Sequence, residues 1–442
     1  MFFLWFECKL ENNSSKYKLN AFNNYLCRVL QEKILNSVKT LITRYTLYDL
    51  YIVLFFFLCY GVWFTSGVTY LPYLALFFVS LSVSYFVGVS FFSGKKIPID
   101  TTERLKKIKE RLNPNYLIVL SILLPLLHLL YLGYIPTFKA MSLLDGDEVS
   151  LVRANISTDS GTLFNYLSSF TIHAILPFTL LYLYLTKRKK ILFFVTLIAV
   201  FYAFSLMQKS YILTMFLPVL TYAFFAKRYK LLAVYVLVVL GTIVSLTYVA
   251  NPELNPIHEE EIAMKQKGEN IIKPPSNSFI RILQGLERRV MITPGKVVVL
   301  WFENIPENLP YAGINGYKFV TRFTGKKHVD YGKALYPIVY PEDARLKGTV
   351  NAANFMYEYA YFGVKGLLLS GFILGLIIAF VESLFGADFE LKIALNFYSI
   401  LILSSSSLTT LLFSGGWGLM IFLYLLFLKG DENITNKRIK TT

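Results

Sequence analysis

Charged residues are scarce in this chain. They make up 16% of its 442 residues, whereas 55% are hydrophobic and 17% are aromatic. A soluble domain carries about a quarter of its residues as charged side chains. The shortage of charge therefore excludes an ordinary soluble enzyme and indicates an integral membrane protein.

Cysteine is also rare and confined to one end. The three cysteines, Cys8, Cys27 and Cys59, all lie near the N-terminus. This placement excludes a disulfide framework along the chain and gives no thiolate metal site. The sequence also lacks zinc-ligand spacing, a phosphate-binding glycine loop and a serine-hydrolase elbow. We therefore expect no cofactor and no metal.

Long apolar runs dominate what remains. A helix needs about 20 apolar residues to cross a bilayer. Ten segments are candidates. The last two could be one long broken segment, but a hairpin that turns at Ser414–Gly416 is more economical. The sequence thus predicts an all-α, polytopic membrane protein with about ten transmembrane helices, near residues 47–66, 69–92, 115–135, 163–185, 191–208, 209–226, 231–250, 363–385, 393–412 and 415–428.

The basic residues predict the orientation of these helices. The net charge of +16 resembles that of a nucleic-acid-binding protein, but Lys and Arg sit in short blocks between apolar segments. The blocks all fall on one side if ten helices alternate from an internal N-terminus, and that side is the cytoplasm by the positive-inside rule. We therefore expect a multi-pass protein of the cytoplasmic membrane with both termini cytoplasmic and no nucleic-acid partner.

This topology divides the chain into five parts. They are a cytoplasmic segment (1–46), seven transmembrane helices (47–250), a large external loop with amphipathic helices (251–362), three further transmembrane helices (363–428) and a cytoplasmic tail (429–442). The large loop gives room for a site at one face of the bilayer, which a simple membrane anchor lacks.

Arginines cluster in the middle of this loop. An amphipathic pattern begins at Ser278, and Arg281 and Arg288 share a helical face with Arg289 beside them. Guanidinium groups suit phosphate oxygens, and a lipid carrier presents its diphosphate at this depth. The alternative is an interfacial helix whose arginines meet ordinary lipid headgroups.

A polar stripe follows where the loop re-enters the membrane. Asn351, Asn354, Glu358, Tyr361 and Lys365 recur at helical spacing. A carboxylate at the bilayer edge needs partners or water, so the stripe is expected to line a cavity. The alternative is an ion pair from Glu358 that only fixes the end of the helix.

Other polar residues are predicted on the same side. Lys209 lies at the tip between the fifth and sixth spans, where it could hold a phosphate or reach the headgroups. Arg153 follows the acidic cluster that contains Asp145 and Asp147, which could bind a divalent metal but is more typical of a turn.

Several short motifs resemble a known family. They are the run NAANFMYEYAYFGVKG at 351–366, LERR at 286–289, WFEN at 301–304 and GING at 313–316. Together with the helical layout, these segments resemble the Wzy-type polymerases of O-antigen and capsule repeat units.

The resemblance implies a glycosyltransferase of the GT-C type that acts at the outer face of the membrane. It would polymerise oligosaccharides carried on a polyprenyl diphosphate, with the carrier as part of the substrate. A flippase and a chain-length regulator are the implied protein partners. By position, Arg288 and Arg289 become the leading diphosphate ligands, and Arg281, Arg153 and Lys209 support them. Glu358 becomes the candidate catalytic residue, with Asn351 and Asn354 as sugar ligands.

Three other classes remain open on the sequence. An O-antigen ligase would use a loop histidine, His258 or His328. A flippase or exporter of lipid-linked glycan would be expected to show internal repeats. If the chain were a scaffold protein, the arginine cluster and the polar stripe would be coincidental.

Overall fold

The computed structural model describes residues 45–93, 107–108, 112–143, 146–250, 288–342, 348–386 and 388–429. All regular structure in these ranges is helical. Seven of the helical segments are long and apolar enough to cross a membrane. The chain is therefore a helical, membrane-embedded protein.

The described part of the first half of the chain is a series of helices, most of them apolar. The span 161–185 contains a π-helical turn, Thr171–Ile175, between two α-helices. In order, the helices are α1 (Thr46–Ser66), α2 (Leu71–Ser93), α3 (Asn115–Leu132), α4 (Pro136–Met141), α5 (Gly146–Asp159), α6 (Gly161–Phe170), α7 (Leu176–Leu185), α8 (Lys189–Ser205), α9 (Lys209–Phe225) and α10 (Tyr229–Ala250).

The second half begins with the described part of the predicted loop. A π-helical turn, Arg288–Ile292, leads into α11 (Thr293–Asn304), and a 3₁₀ turn, Gly313–Gly316, precedes α12. The remaining helices are α12 (Lys318–Thr324), α13 (Tyr331–Val339), α14 (Asn354–Phe362), α15 (Val364–Phe385), α16 (Phe389–Ile402), α17 (Leu408–Leu412) and α18 (Trp417–Phe427).

The predicted boundary between the last two spans is wrong. The helix of the ninth segment ends at Ile402, and the next apolar span runs from Leu408 to Phe427. The two helices are separated at 403–407, where the Ser407 hydroxyl accepts from the Thr410 amide at 3.1 Å and caps α17. The glycines at 415–416 instead interrupt the last span. The helices α8, α9 and α16 have 17, 17 and 14 residues, which is short for a full crossing.

Glycines allow the two central helices to pack closely. Gly371 and Gly375 lie one turn apart on α15, and a Cβ at either position would clash with the backbone of α2. The Ser80 hydroxyl donates to the carbonyl of Leu368 at 2.7 Å across this contact. Small residues at such spacing let membrane helices approach until their backbones touch. The contact fixes α15 against α2 and thereby positions the segment that precedes α15.

A buried carboxylate anchors the start of α1. Glu382 of α15 accepts from the backbone amides of Leu47 and Tyr48 and from the Tyr85 hydroxyl, the last at 3.1 Å. The first amides of a helix have no partner within the helix and favour negative charge. Glu382 therefore caps a helix more than 300 residues away in sequence, and we assign it a structural role.

Some expected features lie outside the described residues. These are most of the cytoplasmic segments, the first part of the loop (251–287) with Arg281 and His258, and Asp145. The side chains of Asp147 and Arg289 are outside the description as well.

Candidate functional site

A sharp break before α15 creates the candidate site. Gly363, at φ +61°, separates α14 from α15, and Gly366 packs directly against the carbonyl of Glu358. The amide of Ala312 donates to the carbonyl of Ala360 at 3.2 Å, which holds the 3₁₀ turn on the other side of α14. The short helix α14 is thus clamped between the end of a membrane span and the loop.

Glu358 is buried between these segments, and one of its carboxylate oxygens makes no hydrogen bond. Its side chain is 7% exposed, and its Oε2 atom has no hydrogen-bond partner. Burial raises the pKa of Glu358 to about 7. A carboxyl group with this pKa changes its charge near neutral pH, which is the property required of a general acid or base.

Tyrosine rings surround the carboxyl group. The ring centroid of Tyr317 is 5.0 Å from that of Tyr361, and Tyr331 follows at 6.1 Å. Burial and the nearby Glu358 charge raise the pKa of Tyr317 to about 12 and also raise the pKa of Tyr361. These tyrosines therefore stay neutral and can donate hydrogen bonds at physiological pH. We call Glu358 with Tyr317 and Tyr361 the Glu358 site.

Trp301 braces the back of the Glu358 site. Its ring packs against Tyr357 at 5.0 Å, and its indole N–H donates to the carbonyl of Val350 at 3.0 Å. The Tyr331 hydroxyl donates to the carbonyl of Pro310 at 2.6 Å. These bonds connect α11, α13 and α14 and keep the rings in place.

The predicted continuous polar stripe is wrong, because the helix breaks at Gly363. Asn351 precedes α14 and is exposed, with its Oδ1 facing Gly332 of α13. Lys365 is exposed beyond the break, on α15. Of the stripe, only Glu358 and Tyr361 share one site.

Asn354 performs a packing role. It is fully buried, its backbone amide donates to the carbonyl of Leu403 at 2.8 Å, and its side-chain amide lies 3.3 Å from the hydroxyls of Tyr51 and Ser370. These contacts join α14 to α1, α15 and the end of α16. A sugar has no access to this amide, so sugar binding by Asn354 does not agree with its position.

Arg288, the leading predicted phosphate ligand whose side chain the structure describes, does not lie beside Glu358. Arg288 is exposed on the π-helical turn, which packs on α1 where Gly61 meets Met291 and Gly295. Trp301 packs against Tyr357, the residue before Glu358. Arg288 precedes Trp301 by 13 positions, which corresponds to roughly 20 Å along a helix. A diphosphate on Arg288 would leave its sugar far from the Glu358 carboxylate.

Arg153 and Lys209 meet at another place. Arg153 is exposed on α5, and Lys209 is the partly buried first residue of α9. Their neighbours Val152 and Met207 belong to one small apolar cluster. The two cations therefore lie on segments that pack together, separate from the described contacts of the Glu358 site.

Sequence reasoning named Tyr361 and His328 but missed Tyr317, Tyr331 and the buried Asn315. Asn315 Oδ1 and His328 Nδ1 are buried without a partner among the described residues. The high tyrosine content and the GING motif before Tyr317 were the available signals, because Gly316 leaves room for the Tyr361 ring. Within the described ranges, three or more His, Cys, Asp or Glu side chains do not come together as a metal site.

Comparison with protein-family models, with curated proteins and with solved structures finds no match for this chain.

Proposed function

We propose that this protein polymerises lipid-linked oligosaccharide repeat units into a surface polysaccharide. The observation that carries the proposal is the buried Glu358 carboxyl, with an unpartnered oxygen and a pKa of about 7, at the start of a membrane span. A substrate with a lipid tail in the bilayer and a glycan outside it would place its reacting sugar at this depth.

The proposed reaction is glycosyl transfer from a polyprenyl-diphosphate donor. Ionised Glu358 accepts the proton of an acceptor hydroxyl as that oxygen attacks the anomeric carbon of the donor sugar. The bond from the anomeric carbon to the phosphate oxygen breaks, and the diphosphate leaves with the electron pair. The neutral tyrosine hydroxyls orient the sugars, and the aromatic faces cover their C–H surfaces.

Cations must stabilise the departing diphosphate. Because Arg288 lies on the π-helical turn before α11, away from Tyr317, we assign this role to cations nearer Tyr317. Lys318 and Arg322 follow Tyr317 on α12, one turn apart, and both are exposed. In this arrangement Arg288 and Arg289 would instead bind the lipid headgroup layer beside α1.

The finer topology belongs to the same proposal. Ten crossings place the Glu358 site on the external side of the cytoplasmic membrane, with both termini inside and a GT-C-like arrangement of the enzyme. The partners would be lipid-linked oligosaccharides, membrane lipid, a flippase and a chain-length regulator.

The test is complementation of a deletion strain followed by gel analysis of its surface glycan. Glu358→Gln keeps the shape of the side chain and removes the base, so single repeat units should reach the surface while the long ladder disappears. Glu382→Gln, which changes the second buried carboxylate, is the matched control and should retain the ladder. A normal ladder with Glu358→Gln would refute the assignment of Glu358.

Two other functions have one supporting observation each. The enclosed Nδ1 of His328 favours a ligase, for which His328→Ala would cause polymer to accumulate on its lipid carrier. The interrupted spans at Thr171–Ile175 and at 413–416 favour a transporter, for which deletion of the gene would remove all surface glycan.

A further inference from the structure

Two membrane spans lose their regular helical structure at the same place. One span turns π-helical at Thr171–Ile175, and the last span is interrupted between α17 and α18. The two interruptions are in contact, since the Ser169 hydroxyl donates to the carbonyl of Ser414 at 2.6 Å and a Cβ on Gly416 would lie 2.9 Å from the Cβ of His173. Irregular backbone at membrane depth occurs where it is buried in protein or lines a polar cavity.

His173 lies at the centre of this contact with a hydrogen-bonding atom unused. Its Nδ1 is buried and has no partner among the described residues. Its ring stacks on Tyr398 at 5.2 Å and meets the edge of Tyr211 at 6.2 Å. π-helical turns inside membrane helices are frequent at functional positions, and an ionisable side chain within a span marks a functional site by default.

His128 provides an internal comparison. It also lies in a membrane span, but both of its ring nitrogens are bonded, to the Tyr202 hydroxyl at 2.7 Å and to the Ser160 hydroxyl at 2.8 Å. His128 is therefore a satisfied structural histidine. His173 has the same chemistry and lacks those bonds, so its Nδ1 leaves a hydrogen-bonding position for a bound group.

We propose that His173, Tyr211 and Tyr398 form a second binding site, between the two interrupted spans, for the hydroxyl groups of a neutral sugar. A neutral imidazole has one donor and one acceptor, which matches a hydroxyl group. The ring contacts of His173 are with Tyr211 and Tyr398, whose hydroxyl groups are uncharged at neutral pH, and this favours a neutral hydroxyl group over an ion. The site is separate from Glu358 and does not depend on its chemistry.

The test is carbethoxylation of the full-length protein in lipid nanodiscs by diethyl pyrocarbonate, measured by peptide mass spectrometry. His173 should react, and His128 should remain unmodified. Decyl maltoside should protect His173, whereas decyl phosphate, which has the same tail and an anionic head, should not. Equal reactivity of the two histidines, protection by decyl phosphate alone, or no protection by either probe would overturn the proposal.

A pair of glycine variants tests the location of the site. Gly416→Ala would place a methyl group against His173 and should abolish protection by decyl maltoside. Gly386→Ala introduces a side chain at a similarly positive φ (+56°) where nothing lies within 4 Å. This control should keep the protection, and its loss in both variants would show a general effect of strain and overturn the location. Because the readout is chemical modification, the result is independent of whether polymerase activity is found.

Discussion

The two buried carboxylates of the described chain have different surroundings. Both oxygens of Glu382 accept hydrogen bonds, from the start of α1 and from Tyr85. Glu358 has an unpartnered oxygen and tyrosine neighbours. A fully bonded carboxylate holds helices together, whereas one with a free oxygen and a pKa near neutrality is available for proton transfer.

The first prediction at the residue scale concerns the pH dependence of transfer. In the proposed mechanism ionised Glu358 is the base, so polymerisation by membrane vesicles should rise with pH through a midpoint of about 7. Glu358→Asp should shift the midpoint, and Glu382→Gln should leave it unchanged. A flat profile between pH 5 and pH 8, measured as polymer formed per minute, would argue against Glu358 as the base.

The second prediction concerns stability. Burial moves the Glu358 pKa from 4.5 to about 7, so the carboxyl contributes most to stability below pH 4.5 and loses this contribution as pH rises through 7. The shift corresponds to about 3 kcal/mol. Glu358→Gln should therefore gain thermal stability over the native protein at pH 8 and show little gain at pH 4.5. Equal melting curves at both pH values would mean that the carboxyl is not desolvated.

At the scale of elements, the break between α14 and α15 decides the shape of the site. Within the described ranges seven helices are long and apolar enough to span a membrane, and ten crossings stay a prediction. The sequence indicated the helical membrane architecture correctly, because a membrane helix is encoded by local composition. It did not reveal the break, since helical spacing alone continues from Asn354 through Lys365. The break depends on the positive φ of Gly363 and on the contact of Gly366 with Glu358. Neither feature can be read from the helical spacing of polar residues.

Contacts between distant segments also explain why Asn354 was predicted in the wrong environment. The sequence predicted Asn354 on a polar face, but its burial results from Tyr51, Ser370 and Leu403, which belong to three other segments. The sequence singled out Glu358 at the membrane edge, and the structure buries this carboxyl group with one oxygen unpartnered. Tyr361 lies one turn from Glu358 on the same helix, whereas Tyr317 and Tyr331 come from separate parts of the chain, so only the fold could bring those two rings to it.

A glycine substitution tests the break. A Cβ at Gly366 would lie 1.9 Å from the carbonyl oxygen of Glu358, so Gly366→Ala should push α14 away from α15. We expect a loss of roughly 1–3 kcal/mol in stability and a large loss of polymer. Gly241→Ala is the matched control, because this glycine of α10 has open space around it. Equal thermal stability of the two variants would show that the close contact of α14 with α15 is absent.

At the scale of the whole molecule, the proposed function requires a particular orientation in the membrane. The Glu358 site and the basic turn at 227–230 must lie on opposite sides, because the donor glycan is used outside and Lys/Arg blocks stay in the cytoplasm. The order of helices permits this arrangement. It also makes a direct prediction about which surfaces a reagent outside the cell can reach.

Cysteine labelling in intact cells checks that prediction. In a chain with Cys8, Cys27 and Cys59 replaced by serine, a cysteine is introduced at Phe323, which is 88% exposed beside the Glu358 site, or at Tyr229, which is 63% exposed in the basic turn. A membrane-impermeant maleimide should label the first variant in intact cells and the second only after lysis. Labelling of Tyr229→Cys in intact cells, with Phe323→Cys protected, would place the Glu358 carboxyl in the cytoplasm. Transfer from an externally displayed lipid-linked donor would then have no base on its own side of the membrane, and the polymerase proposal would fail even if Glu358 proved essential.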